Sequence, residues 1–238
     1  DYFPWTANSV QPALACSNLS TANQIYNMST NLSISGGTCF NITASNVTLN
    51  CAGLSITGSN AASTYGVYSA QVNSTVKNCV IRNFQNGVYY DTASSSGLIY
   101  NNSIHNSTTG VQGNGIRSFG NSINISTNFI NTSRYSGIYV DTGTSSTIEL
   151  NNITAANPAI YILAGGNYTV QHNYLYANTP SYSTTEGILY ETTATSSNNR
   201  FINNTINASG GGHGFGIQGT GQNTSIDCQG TYIIGTNA

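Results

Sequence analysis

Val76-Lys-Asn-Cys79-Val-Ile81, Ile99-Tyr-Asn-Asn102-Ser-Ile104 and Ile125-Ser-Thr-Asn128-Phe-Ile130 are three copies of one frame. The frame places an aliphatic or aromatic residue at x, Asn or Cys at x+3 and an aliphatic at x+5. Ile148-Glu-Leu-Asn151-Asn-Ile153, Val170-Gln-His-Asn173-Tyr-Leu175 and Phe201-Ile-Asn-Asn204-Thr-Ile206 continue it, with looser copies from Leu49 and Ile226. Steps between the anchors are 27, 23, 26, 23, 22, 31 and 25 residues. A period of that size signals a repeat architecture. A second frame interleaves with the first: Gly66-Val-Tyr68, Gly87-Val-Tyr89, Gly115-Ile116, Gly137-Ile-Tyr139, Ala159-Ile-Tyr161, Gly187-Ile-Leu189 and Gly216-Ile217. Each period therefore carries two short β-rich segments parted by Ser/Thr/Asn/Gly turns. No ten-residue stretch keeps a 3.6-residue period free of Gly and β-branched clusters, which excludes helix.

Such a repeat predicts an all-β, parallel β-solenoid of about eight to nine coils over residues 46–238, with residues 1–45 as an N-terminal arm and cap. Coils stacked ~4.8 Å apart turn x and x+5 into continuous internal apolar rows. They turn x+3 into an internal ladder of Asn102, Asn128, Asn151, Asn173 and Asn204, with Cys79 at its foot. Stacked amides satisfy one another along such an axis. The 27- and 31-residue steps are expected to bulge outward as loops. An antiparallel sandwich, the alternative all-β reading, predicts hairpins and no columns.

Composition narrows the function. Of 238 residues only 5 are Lys or Arg and 7 are Asp or Glu, so 5% are charged, against about 25% in an ordinary soluble domain. That scarcity of cations excludes a phosphate-binding surface, and with it nucleic acid as a partner. No apolar run approaches the ~20 residues of a membrane span. Hydrophobic residues, at 38%, are too many for a disordered polar tract. Asn (34), Ser (30) and Thr (30) dominate instead, and fifteen Asn-X-Ser/Thr sequons occur. These are Asn18, Asn27, Asn31, Asn41, Asn46, Asn73, Asn101, Asn106, Asn124, Asn131, Asn152, Asn167, Asn203, Asn207 and Asn223. None of the five ladder asparagines heads a sequon. N-glycans at these positions would supply the hydration that charge usually provides. The other reading is chance in an Asn/Ser/Thr-rich chain.

The chain opens on Asp1 with no leader pattern, which reads as a processed or partly represented chain. Five cysteines match no metal-binding spacing. Cys51 and Cys79 fall at nearly matching places on consecutive coils, within bridging reach. Cys16 and Cys39 are placed to staple the cap, and Cys228 is left over. Buried thiols are the alternative.

Two stretches, Asn46-Val-Thr-Leu-Asn-Cys-Ala-Gly-Leu-Ser-Ile-Thr-Gly58 and Ser74-Thr-Val-Lys-Asn-Cys-Val-Ile-Arg-Asn-Phe-Gln-Asn-Gly-Val-Tyr89, resemble the right-handed parallel β-helix repeat family. The likeness is to the Asn-rich, CASH-like domains of archaeal and bacterial surface proteins in particular, and runs from about residue 46 to 235. It implies a single-stranded right-handed parallel β-helix. It is nearly silent on activity, because that family spans pectin-cleaving enzymes, adhesins and purely structural proteins.

For catalysis the candidates are Asp91, Asp141 and Glu191, each four residues beyond the position opening the second frame. They fall on alternate coils, ~9–10 Å apart, near the upper limit for an inverting glycosidase pair and too wide to share a cation. Asp91 and Asp141 each precede Thr, so turn capping accounts for them. Neither His105, His172 and His213 nor Arg82, Arg117, Arg134 and Arg200 form a recognisable site, and no metal or cofactor is expected beyond covalent N-glycans. Thr-X-Thr pairs (Thr142/Thr144, Thr193/Thr195) do not recur coil after coil, so they build no flat ice-binding face. Open solenoid ends expose strand edges: Tyr232-Ile-Ile234 runs to Ala238 without an amphipathic cap, while Tyr2, Phe3 and Trp5 form an arm suited to docking on a neighbouring subunit. The sequence thus predicts an exported, heavily N-glycosylated structural subunit of an extracellular filament or surface layer, assembled by self-association. The alternative is a polysaccharide-active enzyme, lyase or hydrolase, or a carbohydrate-binding adhesin module on the same fold.

Overall fold

The computed structural model describes residues 9–106, 113–132, 135–156, 158–177, 186–192, 198–208, 213–219, 223–229 and 233–235. Every element in them is a strand, and every strand pair is parallel. Three sheets of ten, nine and nine strands run the length of the molecule, each strand pairing with its equivalents one coil before and after. The first sheet includes Thr75–Lys77, Leu98–Tyr100 and Asn124–Ser126. The second includes Val80–Arg82, Ser103–Asn106 and Phe129–Thr132. The third includes Tyr65–Ser69, Asn86–Tyr90, Ile116–Ser118, Ile138–Val140 and Ile160–Ile162.

A coil therefore has three strands, one more than the two segments expected. The x to x+5 frame is two strands with a sharp corner between them. At x+2 the backbone turns left-handed, at Asn78, Asn101, Thr127, Leu150, His172 and Asn203 (φ 49–58°). A second left-handed corner leads into the first sheet at Asn23, Asn46, Asn73, Ser96, Ser122, Ser145, Asn167, Asn198 and Asn223. Asn enters this conformation more readily than other non-glycine residues. A corner repeated on every coil explains much of the Asn content.

The anchors x and x+5 form the predicted internal rows: Val76, Ile99, Ile125, Ile148 and Val170 face Ile81, Ile104, Ile130, Ile153 and Leu175, all fully buried. The second-frame glycines fill the remaining corner of the core. A Cβ at Gly66 would sit 2.5 Å from Ile81 Cγ2, and Gly115, Gly137 and Gly187 meet Ile130, Ile153 and Ile206 more closely still. Only the absence of a side chain lets the third sheet close on the second there.

The x+3 asparagines form the predicted ladder and are 1–6% exposed. Asn102 Nδ2 donates to Asn128 Oδ1 at 3.0 Å, Asn128 to Asn151 at 3.0 Å, Asn151 to Asn173 at 3.0 Å and Asn173 to Asn204 at 2.9 Å. Each receiving Oδ1 also accepts the backbone N–H of the coil before, as from Asn102 N at 3.0 Å. Each amide donates back to a strand carbonyl, as Asn128 Nδ2 does to Ile99 O at 2.9 Å. The corner leaves backbone groups that the sheets do not pair, and the ladder satisfies them.

The expected division at residue 46 does not mark where coils begin. Ser9–Ala13 pairs with Gln24–Met28, and Ser17–Leu19 with Thr38–Ile42, in the same sheets as later strands. Here Tyr26 is the register partner of Leu49, but Ser29 and Asn31 stand at x+3 and x+5, so the aliphatic frame does not match. Cys16–Cys39 and Cys51–Cys79 are disulfides joining adjacent coils, with Cα atoms 4.3 and 4.7 Å apart. Cys228 is exposed and stands outside both. Tyr2, Phe3, Trp5, Arg134 and the additions of the 31-residue step (178–185 and 193–197) lie outside the described residues.

Asn128→Ala removes the acceptor of two donors and a donor to Ile99 O, so it is expected to cost roughly 2–4 kcal/mol in urea denaturation. Asn131→Ala, exposed one strand away, is expected to stay within about 0.5 kcal/mol; equal losses would remove the ladder's role. Replacing Cys51 and Cys79 by Ala opens a 28-residue separation and is expected to cost about 3–4 kcal/mol on the loop-entropy model, read as the difference in denaturation midpoint from the oxidised wild type.

Candidate functional site

Side chains alternate across a strand, so the residue after each inward Val or Ile of the third sheet points out. Tyr68, Tyr89, Arg117, Tyr139 and Tyr161 are successive register partners at that position. At one strand spacing per coil they form a column roughly 19 Å long. Asn41 precedes it, and Leu189 and Gly216 follow. The Tyr68 and Tyr89 rings stack at 5.5 Å and 10° between planes, with Tyr65 4.9 Å from Tyr89. Tyr139 and Tyr161 meet edge to face at 5.0 Å.

Arg117 lies in the middle. Its guanidinium carbon is 4.9 Å from the centres of Phe119 and Tyr139 and 5.8 Å from Tyr89. Three rings fix the planar group by cation–π contact, and its buried Nε has no hydrogen-bond partner. Beside it opens a groove of about 280 Å³ lined by Gln85, Asn114, Arg117, Tyr135, Ser136, Tyr139 and Tyr161.

A second column, two residues further along each coil, holds the acidic residues. The ladder places Phe119 above Asp91, Asp141 above Phe119 and Leu163 above Asp141, so carboxylates recur on alternate coils. Asp91 accepts Thr92 N–H at 2.7 Å, which is the turn capping expected, but its other oxygen accepts the Tyr68 hydroxyl at 2.5 Å. Tyr139 donates to Asp141 at 3.3 Å, and Tyr161 to Glu191 at 2.7 Å. The Tyr68 hydrogen bond holds the Asp91 carboxyl below its ordinary pKa. Burial, reinforced by the neighbouring carboxylates, raises the phenols of Tyr68, Tyr161 and Tyr139, the last to about 12. Among the described residues the face thus presents carboxyl oxygens as acceptors, phenol hydroxyls, aromatic faces and the ring-held Arg117.

Asp91 and the phenols of Tyr68, Tyr139 and Tyr161 are tuned away from acid and base roles. A general acid needs a raised carboxyl pKa and a tyrosine base a lowered phenol pKa; Asp91 and the phenols shift the opposite way. Among the described residues no three His, Cys, Asp or Glu side chains converge as a metal site would require. His105 packs against Phe129 and hydrogen-bonds Ser103, His172 turns a corner, and Arg82 and Arg200 are exposed on other sheets. None joins the column. Of the fifteen sequon asparagines, fourteen have described side chains and none of these is buried; the side chain of Asn106 lies outside the description.

No curated protein matches the chain. Among solved structures it is similar to the Dettilon tailspike protein (TM-score 0.62, 14% identity, 83% of this chain and 43% of that one). It is also similar to the DFA-IIIase of Arthrobacter chlorophenolicus A6 in complex with DFA-III (0.54, 14%, 84% and 61%). A third is the A-module of the mannuronan C-5 epimerase of Azotobacter vinelandii (0.50, 10%, 97% and 90%). The chain spans less than two thirds of the tailspike and the DFA-IIIase, and at these identities the likeness is one of fold. No helix among the described residues is long and apolar enough to cross a membrane. The model of the right-handed β-helix region matches residues 65–230, and the chain belongs to that family.

Proposed function

We propose that this β-helix binds an extended polysaccharide along the Tyr68–Tyr161 column, without cleaving it. The carrying observation is the unbroken register of four tyrosines and one ring-held arginine, bordered by carboxylates that already accept phenol hydroxyls. A sugar ring has apolar C–H faces and a rim of hydroxyls. Aromatic faces at regular intervals match the first, and Arg117, the carboxylates and the tyrosine hydroxyls match the second. The resemblance to proteins that act on carbohydrate, a DFA-IIIase and a mannuronan C-5 epimerase, favours this reading. Sugar contact also suits a location outside the cell, in keeping with two disulfides.

The structural-subunit reading leaned on docking by Tyr2, Phe3 and Trp5, which lie outside the described residues. Its remaining support, the open strand edges, is common to solenoids of any function. The tyrosine column has no such general explanation.

Isothermal titration against neutral and acidic polysaccharides is expected to find at least one that binds. Tyr139→Ala and Arg117→Ala should each weaken that binding tenfold or more, with the melting temperature little changed. Asp91 stays ionised at any pH above its lowered value, and Tyr139 stays protonated up to about 12. Affinity should therefore be flat from about pH 5 to pH 9 and fall only in strong acid or strong base. Release of reducing ends or of unsaturated sugar, with a bell-shaped pH profile, would replace binding by catalysis; undiminished binding in both variants would place the ligand elsewhere.

A further inference from the structure

We propose that Asn152 is an N-glycosylation site, with the first sugar of its glycan seated between Phe129 and Tyr174. It lies on the second sheet, so it stands apart from the polysaccharide column on the third.

The structure separates the sequons into kinds. At Asn46, Asn73, Asn167 and Asn223 the pattern follows from the coil itself: a left-handed corner Asn, one residue, then an outward Ser or Thr on the strand. Asn73 and Asn46 also use their amides to bridge coils, at 2.8 Å each. Asn152-Ile-Thr154 has no such origin. Asn152 begins the strand Asn152–Ala155 and is exposed.

Its register partners are Phe129 on one side and Tyr174 on the other. Elsewhere that outward column is mostly small or polar, with Ser55, Val80, Ser103 and Thr205. Among the described residues of this column, large rings stand only on the two coils flanking the sequon. Phe129 is 43% exposed and Tyr174 52%, and Leu150 at the adjoining corner is 58% exposed. His105 packs on Phe129 from the side away from Asn152, with ring centres 5.6 Å apart, which helps fix that ring. Cross-strand neighbours are ~4.8 Å away on each side, within the span of one pyranose ring linked to Asn152 Nδ2. An apolar sugar face packs on an aromatic ring, and the covalent tether holds it there at high effective concentration. The occupant that covers this apolar patch is thus attached to its centre.

The reaction needs an activated glycosyl phosphate donor and a glycosyltransferase outside this chain. The C1–O bond to phosphate breaks, the Asn152 Nδ2–C1 bond forms, and one amide proton leaves with the phosphate.

The test is secretion of the full chain from an N-glycosylating host, with glycopeptide mass spectrometry and thermal melts. The Asn152 peptide is expected to carry a glycan. Asn152→Gln is expected to lower Tm by roughly 2–4 °C, and to leave it within about 1 °C when Phe129 and Tyr174 are both Ser. These two rings are half exposed, so their removal leaves the core intact; Tyr174→Ser alone gives an intermediate shift. A bare Asn152, or an equal Tm drop with and without the rings, overturns the proposal. Neither result touches polysaccharide binding, which is measured on the other sheet.

Discussion

Every coil must present the same chemistry at the same height as its neighbours, because backbone hydrogen bonds along the axis fix register across the three sheets. Inside, that constraint favours a polar group that can be paired by its own copy one coil away. An asparagine amide does this with both a donor and an acceptor, and it has capacity left for the backbone groups stranded at the corner. The ladder from Asn102 to Asn204 meets that condition with uncharged groups. Low charge throughout the chain follows from the same logic, since like charges stacked at one strand spacing would repel.

Outside, the constraint becomes an opportunity. One outward position on a repeating strand yields a linear array with a fixed pitch, so a column of tyrosines needs no loop to build it. Arg117 keeps the column continuous: three rings flank its guanidinium, and it places a cation among them. Carboxylates on alternate coils avoid stacking directly on one another, because Phe119 and Leu163 intervene. The Tyr68 hydroxyl lowers the Asp91 pKa, and burial and the same bond raise that of Tyr68. Such a surface offers ring faces, hydroxyls and carboxylate oxygens at a fixed pitch along the axis.

Much of this was legible in the residues. The aliphatic rows and the amide ladder follow from spacing alone, since x, x+3 and x+5 recur with little variation. The corner at x+2 was hidden because Thr127, Leu150 and His172 occupy it as well as Asn78, Asn101 and Asn203. Thr127 and Leu150 have no preference for a left-handed backbone and adopt it because the sheets on both sides demand it. Coils before residue 46 do not show in the frame because Tyr26, which stands where Leu49 stands one coil on, is followed by Ser29 and Asn31 at the x+3 and x+5 places. The tyrosine column was visible only as part of the Gly-Val-Tyr frame. Arg117 interrupts that frame in sequence, and only register shows that it fills a tyrosine's place. Local capping by Thr92 was readable; the Tyr68 hydroxyl on the same carboxylate, 23 residues away, was not.

A crystal structure with a bound oligosaccharide tests the central claim, that a repeating outward column is the ligand-binding feature of this coil. Sugar rings lying lengthwise over Tyr89, Tyr139 and Tyr161, with a hydroxyl or acidic group on Arg117, are the predicted result. An oligosaccharide seated on the first or second sheet, or crossing the third at right angles to the axis, would contradict it.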